Sequence, residues 1–276
     1  MHTGPSGKKK KISIRFVPNK TASPKTVVYD ERNLFPLYVR VIFNQKSNNF
    51  PYIHNLPLAQ SIYADESLEL FYIVNSAGAV VRPILKAQVE ADFQSYKDQL
   101  TNIISYEYQI LGDKQTVKGI YDRFIRYNIS LRKVFREETS KQLLDFLEDK
   151  LTFRQFKEMQ EWERQRTRSN PLLHPDDPLL FISYLQKETV IDLSDLPVSI
   201  SKSLYSLTLF IQFQENHPQT LFTLYNWLVE TEVKKLFVAY LEKKPLIVDP
   251  SLTQFPSIPA SDVVNCLHGI AMGSIL

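Results

Sequence analysis

Between Phe35 and Phe43 the chain places Leu37, Val39, Val41 and Phe43 at every second position, with Tyr38, Arg40 and Ile42 between them. A period of two sends the two sets to opposite faces of a β-strand. One face is therefore apolar and must be covered, whereas the other carries an arginine and a tyrosine. The following Asn44-Gln45-Lys46-Ser47-Asn48-Asn49 has the composition of a turn, and Phe50 to Ile53 is expected to return as a partner strand. Upstream, Lys11 to Val17 alternates in the same way, with Ile12, Ile14 and Phe16 inward and Ser13 and Arg15 outward. Pro18 and Pro24 close that strand. A further strand is expected from Leu68 to Val74, ending in the Asn75-Ser76-Ala77-Gly78 turn.

A few strands with one apolar face are not stable alone, and the sequence supplies a cover. Val89, Phe93, Tyr96, Leu100, Ile103 and Ile104 recur at helical spacing over 87–110, and Gly112 stops the run. A second short helix is expected over 115–127, with Val117, Ile120, Tyr121 and Phe124 on one side. Helical patterning continues over 139–149, after a capping-box pattern at Thr152 to Gln155, at 201–214, and in one long helix over 219–243. In the last, Leu221, Leu224, Tyr225, Leu228, Leu236 and Tyr240 form the apolar stripe. The Pro-bearing tail beyond Pro245 reads as irregular. The expected fold class is α+β: a small N-terminal antiparallel β-sheet domain at 11–86 behind a disordered basic arm at 1–10. A helical domain follows at 87–170 and a second helical region at 171–276, with the Pro-rich 171–178 as linker.

Several classes of function lack the residues they need. One cysteine, Cys266, rules out an internal disulfide framework and a thiolate metal site. Phosphate-binding Gly-x-x-x-x-Gly-Lys and nucleophile-elbow Gly-x-Ser-x-Gly motifs are missing. His2, His54, His174, His217 and His268 are scattered, with no i, i+4 pair, so no cofactor, metal site or catalytic residue is assigned. Glu148-Asp149-Lys150, Glu232-Val233-Lys234 and Glu242-Lys243-Lys244 set carboxylates beside lysines, as metal-dependent nucleases do on strands. Here all three fall in helical periodicity, which ranks a nuclease last. No apolar run reaches membrane-spanning length and no apolar segment follows the N-terminal lysines, so a cytoplasmic protein without a membrane partner is expected.

Charge is the remaining signal. Residues 1–86 hold 12 Lys/Arg against 5 Asp/Glu, whereas 169–276 hold 6 against 11. Lys8, Lys9, Lys10, Lys11, Arg15, Arg40 and Lys46 lie on or beside the predicted strands, with Tyr38 interleaved. Lysine and arginine neutralise phosphates and release counterions, and sheets do enter DNA grooves. These eight residues are the candidate DNA-binding set.

The run Lys11-Ile12-Ser13-Ile14-Arg15-Phe16, a loop, the strand Phe35 to Asn44 and then Lys46-Ser47 resembles the N-terminal arm-type DNA-binding domain of phage-type integrases. These are tyrosine recombinases of bacterial mobile elements. In that domain a first strand precedes a Pro-aliphatic-Tyr-aliphatic-Arg-aliphatic strand, a polar turn and a third strand, and a helix leads on to a helical core-binding domain. Two features depart from the pattern: Asn44 to Asn49 replaces a glycine-containing turn, and Ile84-Leu85-Lys86 stands where a tryptophan is usual. The catalytic His-x-x-Arg is absent, so the resemblance implies DNA binding without strand cleavage. A different class of reading has the acidic region 169–276 docking a protein partner as a scaffold module.

Overall fold

The computed structural model describes residues 11–26, 32–52, 60–75, 77–148, 195–218, 220–243 and 258–275, with single positions at 150, 152, 154, 157 and 161. The arm at 1–10, the linker at 171–178 and most of the capping-box helix lie outside the described residues. The chain divides into two compact units, Met1–Phe124 and Ile125–Leu276. The first is an antiparallel sheet followed by helices and the second is helical, so the α+β class holds.

The sheet is organised around one long strand, β3 (Asn33–Phe43), as its alternation requires. Its C-terminal half pairs with β1 (Ser13–Pro18) and with β4 (Lys46–Pro51). Its N-terminal half pairs with the two-residue β2 (Lys25–Thr26) and with β5 (Gln60–Ala64). From β5 the sheet continues to β6 (Phe71–Asn75) and β7 (Val80–Ile84), all antiparallel. The sequence pattern did not indicate β2, β5 or β7.

Leu37, Val39, Val41 and Phe43 are buried and Arg40 is exposed, as the period of two demands. The turn after β3 is tighter than its composition suggested. Asn44 (φ 50°) and Gln45 (φ 62°) form a two-residue loop, and Phe43 pairs directly with Lys46. Two left-handed residues mark a type I′ hairpin, whose twist matches that of the flanking strands. Strand β4 therefore starts at Lys46, four residues earlier than Phe50. Between β5 and β6, Asp65 accepts from the N–H groups of Glu69 (2.8 Å) and Leu70 (2.9 Å) and from the Ser67 hydroxyl. Burial opposes ionisation of Asp65. The Leu70, Ser67 and Glu69 donors, with Arg32 beyond them, outweigh burial and hold its pKa below the ordinary aspartate value.

Helix α1 (Lys86–Leu111) covers the apolar face of the sheet. Val89, Phe93, Tyr96, Leu100, Ile103 and Ile104, the six residues of the predicted stripe, are all buried. Phe16 of β1 stacks on Phe93 at 3.7 Å, and the Tyr52 ring meets both edge-on at 5.3 and 5.2 Å. Gly112 ends the helix with φ 57°, a conformation that glycine adopts without penalty. The second helix is shorter than expected, α2 (Ile120–Tyr127).

The link between these helices is polar and buried. Glu107, 3% exposed, sits on the inner side of α1 and accepts from Arg123 Nε (2.8 Å) and Nη2 (3.2 Å) and from Gln115 Nε2 (3.3 Å). Arg123 also donates to the carbonyls of Thr116 (2.5 Å) and Lys118 (2.7 Å), which fixes the connecting loop. Asn48 of β4 donates to the carbonyl of Val117 (3.0 Å) and joins the sheet to the same loop.

In the second unit, α3 (Leu131–Glu148), α4 (Val198–Glu215) and α7 (Ala260–Gly273) pack on one another. Two shorter helices, α5 (Leu224–Leu228) and α6 (Glu232–Lys243), complete it. From Ser203 to Ile211 every residue of α4 is buried, so this stretch has no solvent side. Phe135, Phe210, Trp227 and Phe237 meet in its core, with ring centroids 4.9–6.1 Å apart.

Two expectations are corrected here. The long helix over 219–243 is broken at Val229–Thr231, where Thr231 takes φ 61°. Thr223 and Asn226 cap α5 reciprocally, and the Glu230 N–H reaches back to the Tyr225 carbonyl (3.2 Å) and closes it. The stripe accordingly splits: Leu224, Tyr225 and Leu228 are buried, but Leu221 is 68% and Leu236 50% exposed, and Phe222, Trp227, Val233 and Phe237 are buried instead. The tail beyond Pro245, read as irregular, contains α7.

Two stability outcomes follow from the first unit. Breaking a buried ion pair by removing one partner costs about 3–5 kcal/mol. Because Arg123 is a quarter exposed, Glu107→Ala is expected at the lower end, about 3 kcal/mol, read as a lower urea midpoint at unchanged m-value. A left-handed residue other than glycine costs roughly 1–2 kcal/mol. Gln45→Gly, which creates the Asn-Gly pair favoured in such hairpins, is therefore expected to raise the unfolding free energy by about 0.5–1 kcal/mol.

Candidate nucleic-acid interface

Strands β1, β3 and β4 have one face under α1 and the other turned away from it. Directly paired residues on neighbouring strands point to the same face, so the register specifies what the open face carries. Arg15 pairs with Arg40, and Arg40 with Asn49; Ser13 pairs with Ile42, and Ile42 with Ser47; Val17 pairs with Tyr38, and Tyr38 with Pro51. The open face thus carries two guanidinium groups in opposed positions, flanked by Tyr38, Ser13, Ser47 and Asn49. Strands β1, β3 and β4 contribute no carboxylate to it.

Arg15 and Arg40 are exposed, and neither makes an ion pair among the described residues. Like charges directly opposite on a sheet are destabilising. The pair is thus a local cost that packing does not relieve. Planar guanidinium forks suit phosphate oxygens and guanine edges, and tyrosine offers a ring and a hydroxyl.

The structure brings together Arg15, Tyr38 and Arg40 from the candidate set. Lys11 is exposed immediately before β1. Lys46 pairs with Phe43, a buried residue that contacts Tyr108 of α1, so its register position belongs to the covered side although the side chain is exposed. Lys8, Lys9 and Lys10 lie outside the described residues. Sequence reasoning missed Asn49 and Ser47. The signal lay in the turn: a two-residue loop at Asn44-Gln45 fixes Asn49 opposite Arg40, whereas a longer loop would not.

The described residues of the carboxylate–lysine clusters lie on helices, except Lys150 in the turn after α3. Glu148 ends α3, and Glu232, Lys234, Glu242 and Lys243 belong to α6. Among the described residues no three His, Cys, Asp or Glu side chains gather as a metal site. Cys266 lies on α7 with Sγ 3.7 Å from Ser203 Oγ, which itself donates to Gln142. His268 on the same helix is partly buried; burial first and Lys234 second lower its pKa.

The opposed arginines give a direct stability expectation. Arg40→Thr removes the repulsion and places a β-branched residue in a central strand, so it should stabilise the chain by about 0.5 kcal/mol in urea unfolding. A loss of stability would show that Arg40 has a structural role. No family model, curated protein or solved structure compared with the chain matches it.

Proposed function

We propose that this chain is a non-catalytic DNA-binding protein, related to the N-terminal part of mobile-element integrases and acting in the cytoplasm. The observation that carries the reading is the exposed Arg15–Arg40 pair on strands that contribute no carboxylate. A single basic residue on a half-exposed strand is ordinary. Two arginines held opposite one another at a cost in stability, beside a tyrosine, have an evident use if a polyanion neutralises them. The arm-type resemblance assigns DNA contacts to the same strand pair. Among the described residues no helix is long and apolar enough to cross a membrane.

The mechanism is electrostatic docking of the open face, with Arg15 and Arg40 on phosphates or base edges and Tyr38 against the sugar–base surface. Each phosphate neutralised on duplex DNA contributes about 0.9 to the slope of log affinity against log salt. Arg15→Ala with Arg40→Ala is therefore expected to flatten that slope by about 2 in fluorescence anisotropy on a labelled duplex. Wild-type affinity and slope in the double variant would remove this face from the reading.

A second reading, a protein-interaction module, draws on the exposed Val198, Leu221 and Leu236 of the helical unit and the acid excess of residues 169–276.

A further inference from the structure

We infer that the sugar–phosphate backbone of the bound nucleic acid continues over the edge of β1 into a groove beside α1, where Lys97 contacts a phosphate. This rests on the DNA-binding reading and extends it to a site outside the sheet face.

The groove encloses about 570 Å³ between β1, the segment from Ser67 to Phe71, and α1. Arg15 borders it, and β1 is also a strand of the open face, so the two surfaces share β1 and Arg15. Strand β1 is the terminal strand of the sheet, with β3 as its strand partner. Among the described residues no strand pairs with its outer edge, and the backbone N–H groups of such an edge are regular phosphate donors.

The charges along the groove are sorted. Glu69 and Glu90 are both held by Lys86, at 2.7 and 3.9 Å. Lys97, three residues after Gln94 on the same wall, makes no ion pair among the described residues. Its ammonium lies 5.4 Å from the centroid of the Phe16 ring. That ring is fixed by its stack on Phe93, so the cation–π contact positions the ammonium without consuming its charge. Arg15 and Lys97 are thus two cations without a carboxylate partner, and with Lys86 they give the groove three positive groups against the two carboxylates of Glu69 and Glu90. A strand of phosphates leaving Arg40 and Arg15 meets Lys97 next.

The test uses the full chain with Lys97→Gln, which removes the charge, and Lys97→Arg, which keeps it. Salt titrations are read by anisotropy on two duplexes of unrelated sequence. The expected result is a slope flatter by about 1 for Lys97→Gln on both duplexes, with Lys97→Arg at the wild-type slope. Wild-type behaviour of Lys97→Gln, alongside a flattened slope for the Arg15/Arg40 double variant, overturns the groove contact and leaves the sheet face standing. Equal losses in Lys97→Gln and Lys97→Arg overturn it as well, because the side chain would then be acting through packing. If wild-type protein binds neither duplex, the inference and the reading beneath it both fall.

Discussion

The first unit depends on the burial of one face of β3 under α1. The contact is aromatic as well as aliphatic: Phe16, Phe93, Tyr52 and Tyr96 form a chain of ring contacts between sheet and helix. Burial pushes the Tyr52 and Tyr96 phenols above their ordinary range, so both stay neutral in the folded state. Once Leu37, Val39, Val41 and Phe43 are committed to α1, the pleat leaves Tyr38, Arg40 and Ile42 no choice of side. A one-residue slip would bury Arg40 and expose four apolar residues, so packing on one face specifies chemistry on the other.

The sequence made the strand alternation and the α1 stripe legible because both are periodic and one-sided. The Asn44-Gln45 turn was less so, since neither residue is glycine and the polar run extends to Asn49. Composition marks a turn but not its length, and two residues against six decides which side chains face Arg40. β5 and β7 were missed because Ser61-Ile62-Tyr63 and Val80-Val81-Arg82-Pro83 are short and weakly alternating. The Glu107–Arg123 pair joins residues 16 apart and carries no periodic trace. In the helical unit, leucine spacing misled where bulk decided: Trp227 and Phe237 took the core, leaving Leu221 and Leu236 outside. Helix α7 was missed although Val263, Leu267, Ile270 and Ala271 stand at helical spacing just after Pro259, because the surrounding prolines suggested irregular chain.

Total charge is a poor guide to where a polyanion could bind. The first unit holds 16 Lys/Arg against 11 Asp/Glu and the second 17 against 19, a modest contrast over some 30 kDa of chain. At 0.1 M salt the screening length is about 10 Å, so a site responds to charges in its immediate neighbourhood. In the first unit those charges are arranged by pairing. Lys20 holds Glu66 at 2.5 Å, Lys86 holds Glu69 and Glu90, and Arg123 holds Glu107. Each of these acids thereby has a cation beside it, with Lys86 shared between two of them.

Among the cations left over, two are placed opposite one another on β1 and β3. Arg15 and Arg40 face one another because strands of opposite direction meet in a single register, and that register is fixed by the apolar partners Phe16 and Val39 beside them. Moving either arginine out of opposition would require breaking the packing under α1. The repulsion is therefore tolerated by a stable core, and the open face keeps its charge density in the folded protein. Strained or mutually repelling groups held in place by a well-packed scaffold are common at functional sites. In this chain the apolar cover and the cationic face are two consequences of one alternating strand.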